Sequence, residues 1–312
     1  MKIYAPLCLS LAFATSTVAF AQLSVSDSDH YSIWHVAEKN YDVKSAKLST
    51  GVTLQYVEQG NADGIPVLFL HGITDSWHSY ESLLPELPAY MHAFAISQRG
   101  HGDSERPAGG YAMKDFSADI EAFIRELKLG PVVVVGHSMS GLIVQQFALD
   151  YPQLVKGIVI IASAPSFHDN PGMPEFVQLV KQLSDPIDPA FADEFQKSTL
   201  AKPIDPAYYS IIVQEGLKVP ARVWKAAFEG IMEVDYTSRL KHIHVPTLIV
   251  WGEKDNFCTK DNQDAFVRGI RQTRFIIYPD TGHALHWEAP RQFAADLTDF
   301  VRKLIYSPGI KM

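Results

Sequence analysis

Residues 132 to 141, Val-Val-Val-Val-Gly-His-Ser-Met-Ser-Gly, set Ser138 among small residues directly after four valines. A serine hydroxyl is a weak nucleophile until a neighbouring imidazole takes its proton, and that imidazole needs a carboxylate to fix its tautomer. A buried strand, then Gly-x-Ser-x-small-Gly, then a helix is the context of a nucleophile held on a sharp strand-to-helix turn. The residues two positions either side must then be small. Gly136 meets that need; Ser140 stands where glycine is usual, with Gly141 behind it. The alternative is an ordinary serine leaving a buried strand. Two later loops bear on the choice. "GEKDNF", after the strand-like run Pro246–Trp251, offers Asp255, and "PDTGHALHWE", after Phe275–Tyr278, offers His283. Serine, acid and histidine thus fall in that chain order at the ends of successive strands, and the chemistry they suit is acyl transfer through a covalent serine intermediate. Glu253 lies too early and Asp280 too near His283 to serve as well as Asp255.

The elements that must carry these residues alternate. Val52–Val57, Pro66–Leu70, Ala93–Ile96, Val132–Val135, Ile158–Ile161, Pro246–Val250 and Phe275–Tyr278 read as strands, several apolar on both faces. Such strands belong to a parallel sheet covered by helices. Met113–Leu127, Gly141–Leu149, Lys260–Ile270 and Pro290–Leu304 have helical periodicity, so the fold class is α/β, a three-layer sandwich. Residues 166–241 break the alternation. They hold the Pro-punctuated helical pieces Met173–Leu183, Pro189–Ser198, Ala207–Leu217 and Pro220–Glu233 and no strand-like run. An all-helical insertion after a strand is expected to lie over the carboxyl edge of the sheet as a lid. The core is then residues 22–165 and 242–312.

Composition narrows the function classes. The chain has 312 residues, 47% hydrophobic and 20% charged, with a net charge of −8 and no run of Lys or Arg, which argues against nucleic acid as a partner. Lys2, the apolar stretch Tyr4–Phe20 and the small-x-small triplet Ala19-Phe20-Ala21 read as a signal peptide, residues 1–21, cleaved before Gln22. The expected location is secreted or periplasmic. A membrane anchor is the competing reading, but Ser10, Thr15, Ser16 and Thr17 interrupt a stretch already short for a bilayer. No later stretch suits stable membrane insertion. Loss of Cys8 with that segment leaves Cys258 alone, so no internal disulfide forms. His242-x-His244 lacks a third ligand at fitting spacing, and "QRGHGDS" (98–104) is not a phosphate loop, so no metal and no cofactor are expected.

The motifs "LFLHGIT" (68–74), "QRGHGDS" (98–104), "GHSMSG" (136–141), "VWGEKD" (250–255) and "PDTGHALHWEAP" (279–290) together resemble the α/β-hydrolase fold superfamily, in its esterase-, lactonase- and haloperoxidase-like group. The resemblance runs over about residues 45–305 and departs at Ser97, where aspartate is usual. It implies an eight-stranded, mostly parallel sheet with a helical lid insertion. It also implies an oxyanion hole from the backbone N–H groups of Ile73 and Met139, and a structural His137. The substrate expected is a small-molecule ester or lactone, since serine rather than aspartate at position 138 points to an acyl-enzyme. The same catalytic set supports cofactor-free perhydrolysis and C–C bond hydrolysis, and some superfamily members are receptors with slow turnover. Among the lid aromatics, Trp224 and Phe228 lie four apart on one helical face and are the candidates for contact with the acyl group, with Leu285 and Ile73 from below. His286 and Trp287 are expected to be structural.

Overall fold

The structure, a computed structural model, describes residues 41–306; the expected signal segment lies outside them. Among the described residues, β1 (Val43–Lys47), β2 (Thr53–Gln59), β3 (Ile65–Leu70), β4 (Met91–Ile96), β5 (Val132–His137), β6 (Val155–Ile161), β7 (Thr247–Gly252) and β8 (Thr273–Tyr278) form one sheet in the order β1-β2-β4-β3-β5-β6-β7-β8. β1, β2 and β4 pair antiparallel, and every other neighbour is parallel.

The four valines explain how the layers form. Side chains alternate across a strand, so Val132 and Val134 join one apolar cluster and Val133 and Val135 the other. The first cluster is closed by α1 (Met113–Glu126), α2 (Met139–Asp150) and α7 (Lys260–Gly269). The second is closed by α9 (Pro290–Tyr306) through Phe293, Leu297 and Val301. Amphipathic α1 shows the rule: Phe116, Ile120 and Phe123 are buried, while Asp119 on the same stripe is paired bidentately with Arg99 at 2.6 Å. That pair ties the 98–104 loop to the helix.

Between β6 and β7 the chain forms α3 (Met173–Gln182), α4 (Pro189–Ser198), α5 (Pro206–Leu217) and α6 (Ala221–Met232), close to the four helical pieces expected. Ser166 and Asp235 form a bridge at the neck of this segment, and Tyr236 N–H donates to Pro165 O at 2.9 Å. Two expectations need correction. β1 was not anticipated, because Val-Lys-Ser-Ala-Lys is a short polar edge strand with one buried residue and no apolar pattern. The helix expected at 141–149 begins at Met139, directly after the serine. Among the described residues, no helix is long and apolar enough to cross a membrane.

Candidate active site

β5 is buried throughout and delivers Ser138 to the first turn of α2 with φ 54° and ψ −116°. A non-glycine residue in that region is strained and persists only where its surroundings hold it. Ser138 N–H donates to Ile161 O at 2.9 Å, and its carbonyl accepts from Ser163 Oγ at 2.8 Å. The turn leaves no room for side chains beside it. A Cβ on Gly136 would sit 2.3 Å from Ser140 O, and one on Gly141 would sit 2.2 Å from Ser163. A serine at the start of a helix ordinarily caps it. Ser138 makes no such bond, and its hydroxyl lies 2.8 Å from His283 Nε2.

His283 is brought there by the loop after β8, and its Nδ1 lies 3.0 Å from each oxygen of Asp255, from the loop after β7. A carboxylate only accepts, so Nδ1 carries the proton and the Nε2 lone pair faces the serine. Asp255 is fixed in turn by the N–H groups of Phe257 at 2.8 Å and Cys258 at 3.0 Å. The Asp255 side chain is fully buried and that of His283 nearly so, so their interaction is shielded from water. Glu253 and Asp280 are exposed, away from the imidazole, in the outer groove behind Asp255.

Three further histidines surround the site. His137 Nε2 is 3.1 Å from the carbonyl oxygen of His283, and His286 Nε2 is 3.1 Å from Ser79 Oγ. Burial pushes His137 well below the ordinary histidine range and His286 down to about 3, with neighbouring imidazoles adding to both. His71 is held neutral for the same reasons, burial first and then His101. Trp287 donates its indole N–H to Ser79 O at 2.9 Å.

Ile73 and Met139 line a narrow, almost wholly apolar cavity with Ser138 and His283. Neither of their N–H groups donates to a hydrogen bond within the described residues, and Met139 N–H is one of the orphan donors at a helix start. Ser140, in place of glycine, donates to His71 O and accepts from Gln98 Nε2 at 2.9 Å, linking the elbow to the His71–Gly72 loop. The remaining walls are mainly phenylalanines: Phe176, Phe195 and Phe228 from the inserted helices and Phe257 from the acid loop. The cavity holds only about 30 Å³, room for a water molecule or two.

Two expected pocket residues lie elsewhere. Leu285 is buried in the opposite layer with Phe293 and Leu297. It opens the short helix α8 (Leu285–Glu288), which turns its side chain away from the cavity beneath the sheet edge. Trp224 is fully buried against Phe191 and Phe195, with ring centroids at 5.6 and 5.2 Å. It stands behind the wall, whereas Phe228, one turn later, forms part of it. Phe257 went unread in the sequence although its place two residues after Asp255 was the available signal; its ring centre is 4.8 Å from that of His283. Among the described residues, one trio has metal-like spacing, Asp255, Cys258 and His283, with candidate atoms within 4.8 Å. Two of these are the hydrogen-bonded carboxylate and imidazole already described, and the Cys258 thiol donates to Ala162 O at 3.2 Å. His242 and His244 are exposed before β7.

The family model described as alpha/beta hydrolase fold matches residues 65–290. The chain belongs to the α/β-hydrolase fold family. It is 26% identical over 305 residues to Lipase 3 of Moraxella sp. (strain TA144), covering 93% of this chain and 94% of the lipase. It is 28% identical over 265 residues to the AB hydrolase superfamily protein YisY of Bacillus subtilis (strain 168), covering 81% of this chain and 97% of that protein. Its fold is similar to that of a thermophilic esterase from Thermogutta terrifontis, with a TM-score of 0.76 at 24% identity over 84% of this chain and 98% of the esterase.

Proposed function

We propose that this α/β hydrolase is a serine hydrolase that cleaves a carboxylic ester or lactone of a small, largely apolar substrate through an acyl-enzyme. The observation that carries the reading is the hydrogen-bonded line from Ser138 Oγ to His283, 2.8 Å, and from His283 to Asp255, 3.0 Å, starting on a strained elbow. As Ser138 Oγ attacks the carbonyl carbon, His283 Nε2 takes its proton and Asp255 balances the imidazolium charge. The carbonyl oxygen becomes an oxyanion facing the N–H groups of Ile73 and Met139, each such donor being worth roughly a hundred- to a thousandfold in rate. The bond to the alkoxy group then breaks and His283 returns the proton to it. Water enters, gives a proton to His283 and adds to the acyl carbon, and Ser138 leaves with that proton restored.

The phenylalanine walls favour an apolar acyl or aryl group. A cavity of about 30 Å³ is too small for one, so in this reading residues 166–241 act as a lid whose helices part to admit substrate. The lipase and esterase among the similar proteins support the ester class. Residues 1–21 carry the further reading that the enzyme is exported, which N-terminal sequencing of the secreted or periplasmic fraction tests by its expected start at Gln22. The decisive experiment is labelling with a fluorophosphonate beside turnover of a panel of activated esters and lactones. A single adduct at Ser138, lost with turnover in Ser138→Ala, is expected. An adduct elsewhere, or unchanged turnover in that variant, defeats the assignment.

A further inference from the structure

Gln196 is the polar exception on the buried face of α4: it is 2% exposed and shares that face with Ala192. A buried amide is costly unless its hydrogen bonds are made. Its Nε2 donates to Thr74 Oγ1 at 3.3 Å and to Asp75 Oδ1 at 3.1 Å, across more than a hundred residues of chain. Both acceptors follow Ile73 directly. Thr74 has φ 73°, a left-handed conformation that a β-branched residue adopts only when forced. Asp75 is a buried carboxyl, 2% exposed, and Gly72 beside it could not carry a Cβ, which would sit 2.8 Å from His137 Nδ1. The loop that presents the Ile73 N–H is therefore held in a strained shape, and one of its clamps comes from an inserted helix.

We propose that Gln196 is a positioning residue through which α4 sets the Ile73 N–H for the oxyanion, so that the donor is aligned only while α4 is docked. The proposal rests on the serine-hydrolase reading. It gives the inserted helices different roles. α4 braces the catalytic loops as well as lending Phe195 to the wall, whereas α3 contributes wall through Met173 and Phe176.

Three measurements test it. Gln196→Leu, close in size but unable to donate, is expected to lower kcat by about 10- to 100-fold, somewhat less than outright loss of an oxyanion donor. KM should change by less than about threefold, and the affinity for an alkylboronic acid, which mimics the tetrahedral state, should weaken by the same factor as kcat. Gln196→Glu places a second carboxyl against Asp75, and the contact re-forms only when the pair shares a proton. Its kcat relative to wild type is expected to rise as pH falls. The other titratable groups facing Asp75 are Glu215 of α5, itself paired with Lys218, and the hydroxyls of Tyr80 and Tyr208; all are unchanged in the variant, so the ratio isolates the new pair. A folded Gln196→Leu enzyme with kcat and boronate affinity within threefold of wild type overturns the proposal, as does a flat pH ratio for Gln196→Glu. Failure of the underlying reading looks different, since the wild type itself would then bind no boronate at Ser138.

Discussion

The carboxylate of Glu288 accepts the backbone N–H of Gly282, the residue before His283, at 3.1 Å. Its Oε1 also accepts the N–H of Ala201, at 2.8 Å, from the segment between α4 and α5. One side chain thus joins the loop carrying the imidazole to the inserted helices, and Ala284 N–H donating to Thr199 O at 3.0 Å doubles the connection. Hydrogen bonds to a charged acceptor contribute about 1.5–3 kcal/mol. Glu288→Ala is expected to cost stability in that range in urea melts and to lower kcat by misplacing His283, with Glu288→Gln intermediate. Unaltered melting and turnover in Glu288→Ala would show that the Ala284–Thr199 contact suffices alone.

Asp255 is predicted to be essential for turnover and dispensable for folding. Asparagine keeps the shape but offers an N–H where Nδ1 needs an acceptor, which selects the wrong imidazole tautomer; the comparable change in a serine protease triad costs about ten-thousandfold. Asp255→Asn should melt near wild type and lose kcat on that scale. Near-normal activity in this variant, with collapse in Asp280→Asn or Glu253→Gln, would move the acid to another carboxylate.

These residues differ in how readable they were. Ser138, Asp255 and His283 each follow a strand whose apolar run is plain, and their chain order suffices to relate them. Gln196 bonds side chains and Glu288 a backbone N–H that lie far away in sequence, and neither sits in a periodic pattern that would announce a partner. Leu285 shows a different limit. Proximity to His283 in the chain put it near the cavity, but the single turn of α8 carries its side chain into the layer against α9. Trp224 and Phe228 share a helix face as their spacing implied, yet the depth at which each meets the cavity depends on how α6 packs against α4. The strand pattern marked the sheet except for β1, a short edge strand that buries only Ala46 and so carries no apolar run.

Stability is expected to peak near neutral pH. Burial holds His101 at about 4 and His286 at about 3, and His71 and His137 well below the ordinary value of 6.5. Their folded pKa values are depressed, so the unfolded chain takes up protons first as pH drops below 6.5. Their contribution is complete above that value and is lost as pH falls towards 3. Asp75 has the opposite sign. Burial raises it to about 8, with the Gln196 amide opposing, so its contribution is present below about 4 and is lost as pH rises from there to 8. Four histidines outweigh one carboxyl on the acid side, and each proton is worth about 1.4 kcal/mol per pH unit. Denaturant melts from pH 4 to 9 should fall steeply below pH 6.5 and gently between 6.5 and 8, with Asp75→Asn removing the gentle slope. A melt profile level from pH 4 to 6.5 would mean that these imidazoles gain protons in the folded state.

The last prediction separates wall from support among the aromatics of the inserted helices. Phe176 is half-buried on α3, lines the cavity, stacks on Phe195 at 5.6 Å and meets Phe228 edge-to-face at 5.0 Å. Cutting it to alanine removes a surface that substrate meets while leaving the two rings behind it, so Phe176→Ala should raise kcat/KM for bulky acyl groups by about tenfold relative to acetyl, the order expected for one to two methylenes of pocket space. Trp224 has no exposed surface, packs on Phe191 and Phe195, and its Nε1 is buried without an acceptor among the described residues. Trp224→Ala opens a hole in the packed core of the inserted helices and should cost about 3–5 kcal/mol with the acyl ranking unchanged. Trp224→Phe loses ring area but also removes an unpaired buried donor, and those effects oppose, so it should melt far closer to wild type than the alanine variant. Acyl-chain profiles and melts on the three variants check the scheme together: a ranking altered by Trp224→Ala and untouched by Phe176→Ala would exchange the roles assigned to the two rings.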